Sequence, residues 1–253
     1  VRTVRATRYL TPLREGGSVP AIVEADDSGT YVVKFRGAAQ GVRALIAEAI
    51  CGELARVLGL PVPQVVAIDV DVVLARSEPD PEIQAILKAS GGINIALDYL
   101  PGALNWEPAM PRVDAALAAR VVWFDALISN VDRTARNPNM LRWHKQLYLI
   151  DHGAALYFHH DWPNRSAKAR LPFQPIAQHA LLPVAGSVLD ADAALAPLVT
   201  TEVLRAILAD VPDDYLTAEA TPAATREAYL AYFAERLTAP RAFVEEAERV
   251  RVG

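Results

Sequence analysis

The segment Asn130-Val131-Asp132-Arg133-Thr134-Ala135-Arg136-Asn137 decides how the rest of the chain is read. It is polar, and patterned stretches lie on either side of it. Upstream, Arg112 to Ser129 carries Val113, Leu117, Val121, Phe124 and Ile128 at helical spacing behind Pro111, which predicts a helix. Downstream, Met140 to Trp143 and Gln146 to Ile150 read as a short hairpin running into Asp151-His152-Gly153. A loop aspartate can orient or accept the proton of a hydroxyl, and an asparagine five residues on can offer an amide oxygen to a metal. Alone the spacing is unspecific, because a polar loop with an Asx turn has the same composition.

Further upstream the chain becomes strand-rich. Val19 to Ala25 and Thr30 to Arg36 are rich in Val, Ile and Tyr and are joined by Asp26-Asp27-Ser28-Gly29. Thr7 to Arg14 reads as another strand leading into Gly16-Gly17-Ser18, where backbone N–H groups could approach phosphates or simply turn a hairpin. Gly41 to Leu58 has helical periodicity and stops at Gly59, with Pro61 beyond. Gln64 to Ala75 and Ile93 to Leu100 are further strand candidates, and the composition changes at Pro101-Gly102. Beyond Pro183 the pattern is mostly helical, including Thr200 to Ala209 and Pro222 to Val250.

Two charged residues stand out within this outline. Only four of the 25 basic residues are lysines, and one of them, Lys34, shares a face with Val32 inside an apolar strand. A strand-end lysine can reach solvent; one held among apolar groups needs an anion. Asp151 leaves the apolar run Leu149-Ile150 with Gly153 two places on, a spacing that can aim a carboxylate while the backbone turns. With Asn137 it could supply the hard oxygens that magnesium prefers. An acid on the Gly41–Leu58 helix should meet Lys34. At about 100° per residue Glu53 falls within the apolar stripe of Ile46, Ala49, Ile50 and Val57, with Glu48 on the far side, so the wheel points to Glu53.

The order of these parts carries more than any one of them. Glycine pair, strand lysine, acidic helix, apolar strand, connector, long helix, D-x-x-x-x-N loop, hairpin and D-x-G follow one another as in a protein-kinase-like fold. The expectation is an α+β, bilobal molecule. A small β-rich N-lobe with one helix occupies residues 1–100, and a larger, mainly helical C-lobe occupies residues 101–253. Asp98-Tyr99-Leu100, leaving the last strand of the first lobe, sits where a hinge would offer backbone groups to adenine.

The segments YVVKF (31–35), AEAICGELARVLGLPVP (47–63), NVDRTARN (130–137) and LIDHGAAL (149–156) together resemble the HipA-like kinases, bacterial relatives of the protein and phosphoinositide kinases. The resemblance runs along most of the chain. It implies an ATP- and Mg²⁺-dependent serine/threonine-type phosphotransferase. In that reading Lys34 contacts phosphates, Asp132 is the catalytic base, Asn137 and Asp151 hold metal, and Glu48 is the partner of Lys34. Two features depart from the family pattern: the 253 residues have no room for the N-terminal domain of full-length HipA toxins, and Thr134 stands where a histidine is often found. Both bear on toxin-type regulation and on the protein substrate more than on the chemistry.

Composition narrows the partners. A net charge of −5 argues against nucleic acid as the main partner, no run approaches the ~20 apolar residues of a membrane span, and the basic N-terminus has no signal-type apolar block behind it. Cys51, the single cysteine, fits a helix core in a cytoplasmic protein. The acceptor could be a protein Ser/Thr or a small molecule. Two alternatives use the same scaffold: a nucleotide-binding pseudokinase acting as a binding module, and a small-molecule phosphotransferase. His159, His160 and Asp161 invite a metal site but lack a further ligand at supporting spacing. Ser166, Lys168 and Arg170 are placed where substrate or regulatory contacts could fall, and Tyr229, Tyr232, Phe233 and Leu237 have the spacing of a packing face.

Overall fold

The computed structural model describes residues 1–13, 19–110 and 113–253. Gly16, Gly17 and Ser18, the candidate phosphate loop, lie outside the described residues. The chain opens with strands β1 (Thr3–Pro12), β2 (Ala21–Ala25) and β3 (Thr30–Lys34), helix α1 (Gly41–Val57) and strand β4 (Val65–Val70). Helix α2 (Pro81–Ala89) and strand β5 (Gly92–Asp98) complete this part. The five strands are hydrogen-bonded in the order β1-β2-β3-β5-β4, and β4 returns parallel to β1, with Thr3 opposite Ala67 and Val4 opposite Ile68. The result is a closed barrel rather than an open sheet.

Two-residue alternation divides the barrel wall into two faces. Tyr31 and Val33 on β3, with Val23, Val66, Ile68 and Ala96, fill the inside. Val32 and Lys34 point outward, level with Leu97 and Ile95 on β5, and those two apolar residues belong to the second, larger core. Lys34 therefore enters the structure on the side where the helices pack.

The remainder of the chain contains a three-stranded sheet of β6 (Leu104–Asn105), β7 (Met140–Trp143) and β8 (Gln146–Leu149). Helix α3 (Ala115–Leu127) lies between β6 and β7, capped by Asp114, whose carboxylate accepts from Leu117 N. Helices α4 (Arg165–Ala169), α5 (Val188–Leu195), α6 (Thr201–Ala209), α7 (Pro222–Arg236) and α8 (Ala242–Val252) follow. No helix among the described residues is long and apolar enough to cross a membrane.

Several elements differ from the sequence reading, each for a local reason. The strand expected over Gln64–Ala75 stops at Val70, because Asp71 accepts from Val73 N and starts a 3₁₀ turn over Val72–Ser77. The first part of the chain holds two helices rather than one: Asp80 caps α2, Pro81 fills its first turn, and Ile83 and Leu87 cover the barrel interior. The long C-terminal helix breaks into α7 and α8 near Pro240, which lacks the backbone donor a continuous helix needs.

Helix α1 carries both acidic candidates. All twelve residues from Ala44 to Ala55 are buried. The helix packs against β4 and β5 on one side and against α6 and the 213–215 turn on the other. Gly52 permits the approach to β4, since a Cβ there would stand 2.5 Å from Val65 Cγ2. A helix buried on nearly all sides has no single core-facing stripe, and so the stripe argument for Glu53 fails.

Candidate active site

Lys34 is buried, and its Nζ donates to Glu48 Oε2 at 2.6 Å and to Asp151 Oδ1. Glu48 has no exposure at all, and its Oε2 also accepts from His152 N at 2.9 Å. Burial pushes the Glu48 carboxyl up, but Lys34 and His152 outweigh it and hold the group down at about 2. Burial likewise works against the Lys34 ammonium, and Glu48 and Asp151 reverse it and raise the group above an ordinary lysine. Lys34 and Glu48 thus favour each other's charged forms. Glu53 is elsewhere: its carboxylate takes Arg56 Nη2 at 2.6 Å, one turn along α1.

Asp151 is partly exposed, with a side-chain exposure of 39%, so one of its faces meets solvent while Oδ1 meets Lys34. The sharp turn lies at Asp151 itself, at φ +55°, and not at Gly153. Asp tolerates this left-handed region better than most residues. Gly153 contributes by being small, since a Cβ there would sit 3.4 Å from Asp151 Oδ1.

The Asp132 loop forms a second group. Asn137 Nδ2 donates to Asp132 Oδ2 at 2.9 Å, and Asn139 Nδ2 reaches the same oxygen at 3.2 Å. Thr134 N donates to Asn137 O at 3.0 Å, which closes the loop on itself. The two groups are joined through the backbone, because Ile150, directly before Asp151, donates its N–H to Asn139 O at 3.0 Å.

A buried ionic hub beneath this loop was not visible in the sequence. Asp125, on α3, takes Arg133 Nε at 2.6 Å and His179 Nε2 at 2.9 Å on one carboxylate oxygen, and Asn130 Nδ2 on the other. Leu181 N donates to His179 Nδ1, so that nitrogen accepts and Nε2 carries the proton toward Asp125. Burial pushes the Asp125 carboxyl up, and Arg133 followed by His179 pull it well below the usual carboxylate range. Arg133 Nη1 continues to the carbonyls of Asn139 and Ile150. One guanidinium thus ties the end of α3 to the Asp132 loop and to the segment entering Asp151.

The hinge candidates are partly committed. Asp98 N donates to Gln64 O and Tyr99 N to Thr30 O, each at 2.9 Å, and Leu100 O accepts from Ala103 N. The Asp98 side chain lies on the Tyr31 side of β5, where burial pushes its carboxyl up. A cavity beside this segment is lined by Leu10, Thr11, Ile22, Thr30, Asp98, Tyr99 and Pro101.

Three of the remaining candidates, Asp161, Lys168 and Arg170, are held in ion pairs. Asp161 pairs with Lys168 at 2.7 Å and Arg170 pairs with Glu235. Among the described residues no group of three His, Cys, Asp or Glu side chains could hold a metal. His159 is buried against Tyr229 Oη at 3.2 Å, and burial lowers its pKa to about 3. The unfolded chain takes up that proton first, so the stability His159 permits is complete above about pH 6.5 and is lost as the pH falls toward 3. At pH 5 the loss is about 2 kcal/mol. A His159→Gln variant should therefore lose less stability than the wild type between pH 7 and 5, as read by urea unfolding at each pH. Equal slopes would contradict a neutral buried His159.

The sequence pattern of the HipA-like kinases matches residues 7–241. The chain belongs to that family. As a HipA-like kinase it is a kinase-type phosphotransferase, and its fold agrees. The Helicobacter pylori proinflammatory kinase CtkA superposes over 97% of this chain and 96% of its own, at a TM-score of 0.60 and 13% identity. The golgi casein kinase aligns over 97% of this chain and 71% of its own, at a TM-score of 0.43 and 12% identity. No curated protein matches this HipA-like kinase significantly in sequence.

Proposed function

We propose that this HipA-like kinase transfers the γ-phosphoryl group of ATP to a hydroxyl acceptor in a Mg²⁺-dependent reaction, as a two-lobed cytoplasmic enzyme divided near residue 100. The observation that carries the reading is the buried Lys34–Glu48 pair with Asp151 on the same ammonium. A buried lysine held between one buried and one partly exposed carboxylate suits an anion that arrives from the exposed side.

The residues fit a metal–nucleotide complex. Asp151 and Asn137 both reach solvent and offer oxygen donors, and a site with few protein oxygens suits Mg²⁺, which completes its shell with water and phosphate. When bound, the metal would neutralise charge on the transferring phosphoryl group. Lys34 would give up Asp151 for a phosphate oxygen while Glu48 keeps it oriented. Asp132 would orient the acceptor hydroxyl and take its proton, with the loop geometry supplying most of the rate through positioning. The cavity beside Asp98, Tyr99 and Pro101 would receive the base. Of the hinge N–H groups, Leu100 N is free of the backbone hydrogen bonds that occupy Asp98 N and Tyr99 N.

Thermal unfolding with and without ATP and Mg²⁺ tests this reading. The midpoint should rise in the wild type and in Glu53→Gln, and the rise should be lost in Asp151→Asn and Glu48→Gln. No shift at millimolar ATP would overturn the nucleotide site. A shift without any ATP turnover would favour a binding module over an enzyme.

A further inference from the structure

The loop Asp132-Arg133-Thr134-Ala135-Arg136-Asn137-Pro138-Asn139 contains two asparagines, and the family resemblance accounts for only the first. Both amides converge on Asp132 Oδ2, Asn137 at 2.9 Å and Asn139 at 3.2 Å. An ionised carboxylate only accepts, so each amide must turn its NH₂ group toward it. Two donors on one oxygen exceed what is needed to orient a single side chain. If Asn137 presents its oxygen to a metal, it must rotate or share its amide, and Asp132 would then be held by Asn139 alone.

Asn139 is better placed to stay. Its φ of +48° is a conformation asparagine tolerates and few other side chains do. Its carbonyl is pinned by Ile150 N at 3.0 Å and by Arg133 Nη1, whose guanidinium is anchored on buried Asp125. Its amide also approaches Asp132 O, at 3.5 Å. Asn139 thus fixes Asp132 with its side chain and the segment entering Asp151 with its backbone. From this we infer that Asn139 is a positioning residue that keeps the Asp132 carboxylate aimed while Asn137 serves the metal. The inference rests on the phosphotransfer reading given above.

The rival account is that Asn139 is present only for its positive φ. Glycine satisfies that conformation without an amide, and aspartate keeps the shape but places a second carboxylate against Asp132. Steady-state kinetics on wild type, N139G, N139D, D132N and D132N/N139G separate the two accounts. We expect N139G to lose about tenfold in kcat with KM for ATP unchanged, and N139D to lose more through charge repulsion. The D132N/N139G double variant should be no slower than D132N, because the amide would act only through Asp132. Thermal unfolding supplies a readout independent of turnover: N139G should keep the wild-type midpoint and its full ATP–Mg²⁺ shift, whereas N137A should lose most of that shift. Wild-type kcat in N139G, or a further loss on adding N139G to D132N, would overturn the positioning role and leave the kinase reading standing. A wild-type protein with no ATP turnover would overturn that reading and this inference together.

Discussion

Replacing Asp132 by asparagine should lower turnover by about 10²–10⁴-fold, the usual contribution of a positioned general base. The fold should be unaffected. The Asp132 side chain is only half-buried, and its Oδ2 accepts from the amides of Asn137 and Asn139, as an asparagine oxygen could still do. Asp151→Asn should lose at least as much turnover for a different reason. It would remove the carboxylate proposed for the metal while leaving Lys34 its buried partner Glu48. The two variants differ in binding, so D132N should keep the ATP–Mg²⁺ thermal shift and D151N should not. Unchanged ATP consumption in both would remove Asp132 and Asp151 from the mechanism.

The second large effect concerns stability. Asp125→Ala leaves the guanidinium of Arg133 and the imidazole of His179 buried without their common acceptor. Breaking one side of a buried ion pair costs about 3–5 kcal/mol. In a domain of this size the melting temperature should fall by on the order of 10 °C. If the cost is the uncompensated charge, Asp125→Leu combined with Arg133→Met should recover part of it. A double variant less stable than Asp125→Ala would show that packing, not charge, dominates the hub.

Much of the fold could be read from local pattern, and the exceptions are physical ones. Strands β2 and β3, helix α3 and the β7–β8 hairpin follow from alternation, turn residues and helical spacing within a few neighbouring residues. The barrel closes because β4 pairs parallel with β1, about sixty residues away, and no local pattern encodes that pairing. The site divides in the same way. Lys34, Asp132, Asn137 and Asp151 carry their signal in short motifs, and the structure brings Lys34 to Asp151 and Asn137 to Asp132. His179 is 54 residues from Asp125 and has no spacing that points to it. Periodicity places Glu53 in the core-facing stripe and Glu48 on the far side, and it misleads because α1 is buried all round and offers no polar face to set its phase.

That continuous burial limits how the enzyme can be governed. A helix lying on a surface can roll or swing, carrying an essential glutamate in and out of register at little expense. Here the barrel wall stands on one side of α1 and the α6 layer on the other, and any outward swing would pull a dozen consecutive buried residues away from their neighbours. Moving Glu48 out would therefore mean exposing that buried run. An effector that works by withdrawing this glutamate would have to part the two layers that enclose it. Regulation by access to the proposed nucleotide site, or by supply of an acceptor, would leave those layers in place.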